Sequence, residues 1–95
     1  MFVVQLSFAE NRARAGDFMA GHKAWIQQGF DDGVFLLVGS IAPNRGGAVL
    51  AHGTSLSALE ERVARDPFVA EGIVTAEILE IAPNRADDRL NFLLG

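Results

Sequence analysis

The stretch "VFLLVGSIAPNRGGAVLAH", residues 34–52, decides how the chain is read, because it holds two strands and the turn that joins them. Val34–Ile41 is nearly continuous in apolar residues, and Ala48–His52 is a shorter run of the same kind. Between them "APNRGG" supplies proline, asparagine and paired glycines, the residues that reverse a chain. The two runs therefore pair as a hairpin in the middle of the sequence. The lack of polar alternation in the longer run predicts a strand covered on much of both faces.

Working outward, each side of the hairpin carries a helix and then a strand. Upstream, Phe18, His22, Trp25, Ile26 and Phe30 recur at three- and four-residue steps, which predicts a helix over Asn11–Phe30. Arg12 and Arg14 oppose the helix dipole and Gly16 and Gly21 weaken the early turns, so Asp17 is an alternative N-cap. Asp31–Gly33 ends the helix, glycine being suited to the left-handed C-cap. Before it, "FVVQLSF" (Phe2–Phe8) reads as the first strand. Downstream, Ser57 and Glu60 have capping-box spacing, and Leu56, Leu59 and Val63 form the inner stripe of a shorter helix. That helix breaks at Asp66-Pro67, "PFVAEG" makes a further turn, and Ile73–Ile81 is the fourth strand.

Strand, helix, strand, strand, helix, strand is the split βαβ order, so the expected fold is α+β and ferredoxin-like, with a four-stranded antiparallel sheet and both helices on one face. The pentapeptide "IAPNR" follows the second strand at Ile41–Arg45 and the fourth at Ile81–Arg85, and reads as one strand-ending device used twice. The domain is expected to span residues 1–83. Residues 84–95 form a tail in which Leu90, Phe92, Leu93 and Leu94 come after the last strand, where a monomer has little core left to offer. With 49% hydrophobic residues in 95 and a mean hydropathy of +0.21, the chain is more apolar than a small core can hide. A homodimer joined through the sheet face opposite the helices, with the tail at the interface, is therefore expected.

The net charge of −4 and pI of about 4.9 argue against nucleic acid as a partner. Cysteine is absent, which excludes a disulfide framework, a thiolate nucleophile and a cysteine metal site, and makes the cytoplasm the expected compartment. "MFVVQLSFAE" has no basic leading region, so no signal peptide is read, and no apolar run is long enough to cross a membrane. The histidines His22 and His52, with scattered acids, lack metal-ligand spacing, so neither a metal nor another cofactor is expected. "NRGGAV" lies in a hairpin turn and does not open a helix, so it is no phosphate cradle.

Chemistry centres on His22 and Asp66. His22 falls on the inner stripe of the first helix, a costly place for a charge. Asp66 precedes Pro67, where an aspartate serves as an N-cap. In a split βαβ fold the helices lie side by side, so the end of the second approaches the middle of the first. The carboxylate can then fix the imidazole tautomer and support the imidazolium, leaving the other ring nitrogen free to move a substrate proton. The plainer alternatives are a core histidine satisfied by one hydrogen bond and an aspartate that only caps. Ser40, Trp25 and Phe68 are further candidates for lining a pocket, set against readings as a strand-end residue and as core aromatics. His52 reads as a strand-end residue.

"GHKAWIQQGFDDGVFLLVGS" and "ARDPFVAEGIVTAEILEI", with helical His22 in the first and Asp-Pro-Phe at 66–68 in the second, resemble the YCII-related family of small dimeric α+β proteins. The resemblance implies a fold of the dimeric α/β-barrel type and a pocket centred on His22 and Asp66, which match the family's paired residues. One branch of that family is associated with dehydrochlorination of a chlorinated hydroxyquinol. Ser40 stands where a proline often follows the glycine, and the tail after Pro83 is an extension. Residues and resemblance together predict a cofactor-independent lyase- or isomerase-like enzyme. It would transfer protons on a small organic substrate, aromatic or enolisable, through His22 and Asp66. The alternative is a non-catalytic dimeric module for ligand binding or interaction.

Overall fold

Alternation along Phe2–Phe8 (β1) sorts its side chains: Phe2, Val4 and Leu6 are buried, while Val3 and Gln5 between them are only partly covered. A computed structural model describes residues 1–94. After β1, a single 3-10 turn at Arg12–Arg14 leads into helix α1 (Ala15–Asp31), followed by β2 (Phe35–Ile41) and β3 (Gly46–Ala51). Helix α2 (Leu56–Ala64), the short α3 (Pro67–Ala70), β4 (Val74–Glu80) and a 3-10 segment at Asp88–Leu94 complete the described residues. The strands form one antiparallel sheet in the order β2-β3-β1-β4. This is the split βαβ, ferredoxin-like arrangement.

Local details differ from the reading above. Helix α1 starts without a side-chain cap; its preceding turn instead hangs from the Ala9 and Asn11 carbonyls, and Asp17 lies in the first helical turn. The cap of α2 is Ser55, not Ser57: the Ser55 hydroxyl accepts from the Ala58 N–H at 3.1 Å. Leu59 and Val63 are buried but Leu56 is exposed. β3 begins at Gly46, so the paired glycines belong to the strand and not the turn. The two "IAPNR" segments take different paths: the first turns back into β3 with Asn44 at φ 54°, whereas the second leads away from the sheet with no positive φ at Asn84.

The apolar run in β2 has a cause other than cover on both faces. The register slips between Phe35 and Leu37, so Phe35 pairs with Ala51 and Leu37 with Leu50. A bulge adds a residue and turns the strand. Phe35 and Val38 thereby face the helices, and Leu37 faces away, 53% exposed. On the uncovered face the register lines up Leu37, Leu50, Val3 and Leu79, one from each strand. Leu79 and Ile81 are likewise exposed, as are Leu90, Phe92 and Leu94 of the tail, where Phe92 meets the His52 ring edge-on at 5.4 Å.

Arg62 joins the two longer helices. Its guanidinium donates to Asp32 at 2.9 Å, its carbonyl accepts from the Trp25 indole at 2.9 Å, and its charge lies 5.9 Å from the Phe35 ring centre. Asp32 caps the C-terminal end of α1, where the helix dipole disfavours an anion, and Arg62 offsets that. The hydrogen bond from Arg62, then that from Gln28, holds the Asp32 carboxyl below its ordinary value of 3.8. A lowered folded value means a contribution to stability that is present above 3.8 and lost as the pH falls through the folded value. Urea midpoints of wild type and Asp32→Asn are therefore expected to differ at pH 7 and to converge as the pH falls through the folded value.

Candidate functional site

The sheet floor under α1 steps down at one position. On the helix-facing side, Ala51 lies between Phe2 and Phe35 and Val49 between Val4 and Val38, but the next row is Leu6, Gly47 and Ser40. With no side chain at Gly47, α1 bridges a cavity of about 400 Å³. Its roof is the α1 stripe Met19, His22, Lys23 and Ile26, spaced i, i+3, i+4 and i+7. Trp25, Phe68, Phe8 and Val74 close the walls, so the lining is apolar except for the His22 ring, the Lys23 ammonium and the Ser40 hydroxyl.

His22 and Asp66 meet because the residues beside them, Gly21 and Pro67, pack closely, the proline ring lying against the glycine. A Cβ on Gly21 would lie 3.1 Å from the Pro67 side chain, so glycine lets the start of α3 approach α1 one residue away from each partner. Asp66, in extended geometry with Pro67 at the first helical position, caps α3 through Oδ1, which accepts from the Phe68 N–H at 3.0 Å. The same Oδ1 contacts His22 Nδ1 at 2.8 Å. Asp66 is fully buried, and Oδ2 has no hydrogen-bond partner among the described residues. A carboxylate only accepts, so Nδ1 carries the hydrogen, and the contact leaves Nε2 as the ring's second nitrogen, free of Asp66.

The imidazole is also clamped from its faces. Phe68 stacks on it with centroids 3.9 Å apart and planes 2° apart, and Trp25 lies at 5.9 Å and 21°. Trp25 is itself fixed by its bond to the Arg62 carbonyl and by an edge contact with Phe35 at 5.1 Å. The ring is therefore held in position and in tautomer by groups whose own positions are set.

The structure thus brings His22, Ser40, Trp25 and Phe68 to one cavity, with Asp66 behind His22 and outside the lining. Trp25 and Phe68 serve as core and wall at once. Lys23 and Gly47 were missed. Their signals were available: Lys23 follows the histidine four residues after Met19, and Gly47 stands at a strand position where its neighbours in the ladder carry side chains. A second hollow of about 410 Å³ between α2, α3 and β4 is walled by Val63, Val69 and Ile78, with Glu60 its one ionisable group. Among the described residues, no cluster of three or more side chains could hold a metal, and no helix is long and apolar enough to cross a membrane.

No curated protein matches the chain at a significant level. A family model, that of the YCII-related domain, matches residues 1–82. The match takes in all four strands, α1 with His22, the Asp66-Pro67 junction and every residue that lines the cavity. The chain belongs to the YCII-related family.

Proposed function

We propose that the protein is a small cofactor-independent enzyme, lyase- or isomerase-like, that moves a proton on a small organic substrate. The observation that carries the reading is the 2.8 Å contact between His22 Nδ1 and a fully buried Asp66, with His22 itself lining an apolar cavity. Nε2 takes a proton from a carbon beside a carbonyl or from a phenol, leaving an enolate or phenolate. The resulting imidazolium is supported by Asp66 and lies over the Phe68 face, an arrangement favourable to a cation. It then returns the proton at another atom, or to a leaving group. Deuterium wash-in tests this: in D2O, NMR follows exchange of C–H protons in a panel of 2-oxo acids and phenols. Exchange that is equal with wild type and His22→Ala overturns the reading.

One contact favours the alternative, a non-catalytic dimeric binding or interaction module. Oδ1 of Asp66 accepts from the Phe68 N–H and so caps α3 whatever else it does. The same experiment separates the two, because a capping aspartate beside a packed histidine exchanges no substrate proton.

The reading includes a cytoplasmic homodimer. Leu37, Leu50, Val3 and Leu79 form an apolar row across the sheet face that has no helix on it, and the tail adds exposed Leu90, Phe92 and Leu94. Sedimentation at micromolar concentration is expected to give twice the 10.2 kDa chain mass. Leu37→Glu puts a charge at the β2 end of that row, at its most exposed leucine, and is expected to shift the protein to monomer. A wild type that sediments as a monomer contradicts this part of the reading.

A further inference from the structure

We propose that the cavity selects a small carboxylic acid with a ring-sized or branched apolar body, and that Lys23 at the rim receives its carboxylate. This deepens the proton-transfer reading and rests on it for the placing of the reacting carbon at His22. The chain carries 12 Asp and Glu residues and a net charge of −4, so an average patch of its surface is acidic. None of those acids lines the cavity. Lys23, the chain's one lysine, does.

Among the described residues, three of the seven arginines are paired with carboxylates and Arg12, Arg45, Arg65 and Arg85 are not, but none of the seven lines the cavity. Arg14 pairs with Glu71 at 3.7 Å, Arg62 with Asp32 at 2.9 Å and Arg89 with Asp87 at 3.0 Å. Lys23 has no carboxylate within 4.0 Å among the described residues, and its side chain is exposed at the cavity. Arg12 is also unpaired and lies 4.2 Å above the ring of Phe8, which is itself part of the cavity wall. Lys23 is thus the one lysine or arginine among the described residues that line an apolar hollow, and no carboxylate there offsets it. That combination attracts an amphipathic anion and repels a cation.

The helix fixes the geometry of recognition. His22 and Lys23 are consecutive, with His22 tethered inward by Asp66 and Lys23 belonging to the Met19 and Ile26 stripe at the rim. A carboxylate held by Lys23 leaves the apolar body of the ligand inside, against Leu6, Val38 and Val49, and the carbon beside the carboxylate near the imidazole edge. Gly47 provides the space, and Ser40, opposite it in the ladder, adds a hydroxyl.

The test is binding, so it does not depend on turnover. The 15N-labelled full chain is titrated with benzoate and isovalerate, and with their neutral counterparts benzamide and isovaleramide, following the amide signals of Lys23, Ser40 and Gly47. At least one acid is expected to bind saturably at millimolar concentration or below, about fivefold or more tighter than its amide, a size typical of a partly exposed charge pair with an added hydrogen bond. Lys23→Gln is expected to remove that preference and Lys23→Arg to keep it, and 0.5 M NaCl should narrow it, as screening requires. His22→Ala should still prefer acid to amide, so a failed wash-in experiment leaves this result standing. Amides that bind as tightly as acids, acids that give no saturable shifts, or a preference that survives Lys23→Gln would each overturn the proposal.

Discussion

Asp66→Asn is expected to slow substrate proton exchange by about two to four orders of magnitude, the range that a positioned acid–base group contributes, while the fold survives. The survival follows from which oxygen does the work. Oδ1 alone accepts from the Phe68 N–H and contacts His22 Nδ1, and Oδ2 has no partner among the described residues. An asparagine can present its carbonyl oxygen to both donors, and asparagine caps helices about as well as aspartate, so stability should change by less than about 1 kcal/mol. What is lost is the negative charge behind the imidazolium. Asp66→Ala removes the cap and the tether together and should cost about 1–3 kcal/mol in addition to activity. Wash-in rates and thermal midpoints on the three proteins separate these effects. An Asp66→Asn protein with wild-type exchange would leave Asp66 as a cap and nothing more.

Gly29→Ala is expected to destabilise the protein, in the direction opposite to helix propensity. Alanine in a helix interior is favoured over glycine by about 1 kcal/mol. At Gly29, however, the added Cβ would lie 2.1 Å from Phe35, with two further ring atoms within 2.6 Å. Phe35 cannot retreat easily: it is 3% exposed and is held by Trp25 at 5.1 Å and Phe30 at 6.2 Å. Overpacking of this kind costs about 1–3 kcal/mol or more, and a clash of such depth belongs at or above the upper end, so the net loss should be about 2 kcal/mol. In a domain of this size that is a fall in Tm of about 10 °C. Gly16→Ala is the control, since a Cβ there meets nothing within 4 Å, and it should raise stability by about 0.5–1 kcal/mol. If both exchanges stabilise the protein, the packing of Phe35 against α1 is looser than described.

The order of strands and helices was legible because α1 and α2 carry helical spacing, the strands are short apolar runs, and the breaks carry proline, glycine or asparagine. The approach of His22 to Asp66 was legible for a related reason: split βαβ topology puts both helices on one face. The cavity was not. It depends on Gly47 lying in β3, and the paired glycines looked like part of the turn; a glycine without a side chain leaves no periodic mark by which a strand could claim it. The near-continuous apolar run of β2 was visible, but its cause, a bulge that re-aims Leu37, is a property of the pairing with β3 and not of the run itself. Ser55 was passed over as the cap because Ser57 offered a partner at the usual spacing, whereas the chain leaves Gly53 early enough for Ser55 to reach Ala58 first.

The stacking of Phe68 on His22 has a stereochemical outcome. A ring with a neighbour 3.9 Å away and parallel to within 2° cannot tip toward a ligand. In the proposed reaction it would exchange protons only along the direction of the Nε2 lone pair, in its own plane, from one side of a bound substrate. With a single base so directed, a hydrogen removed from one carbon and delivered to its neighbour must travel across the same side of the molecule. The shift is then suprafacial. Part of an isotopic label at the first carbon would reappear at the second instead of being washed out, and a planar intermediate would be converted into one mirror-image form of its product.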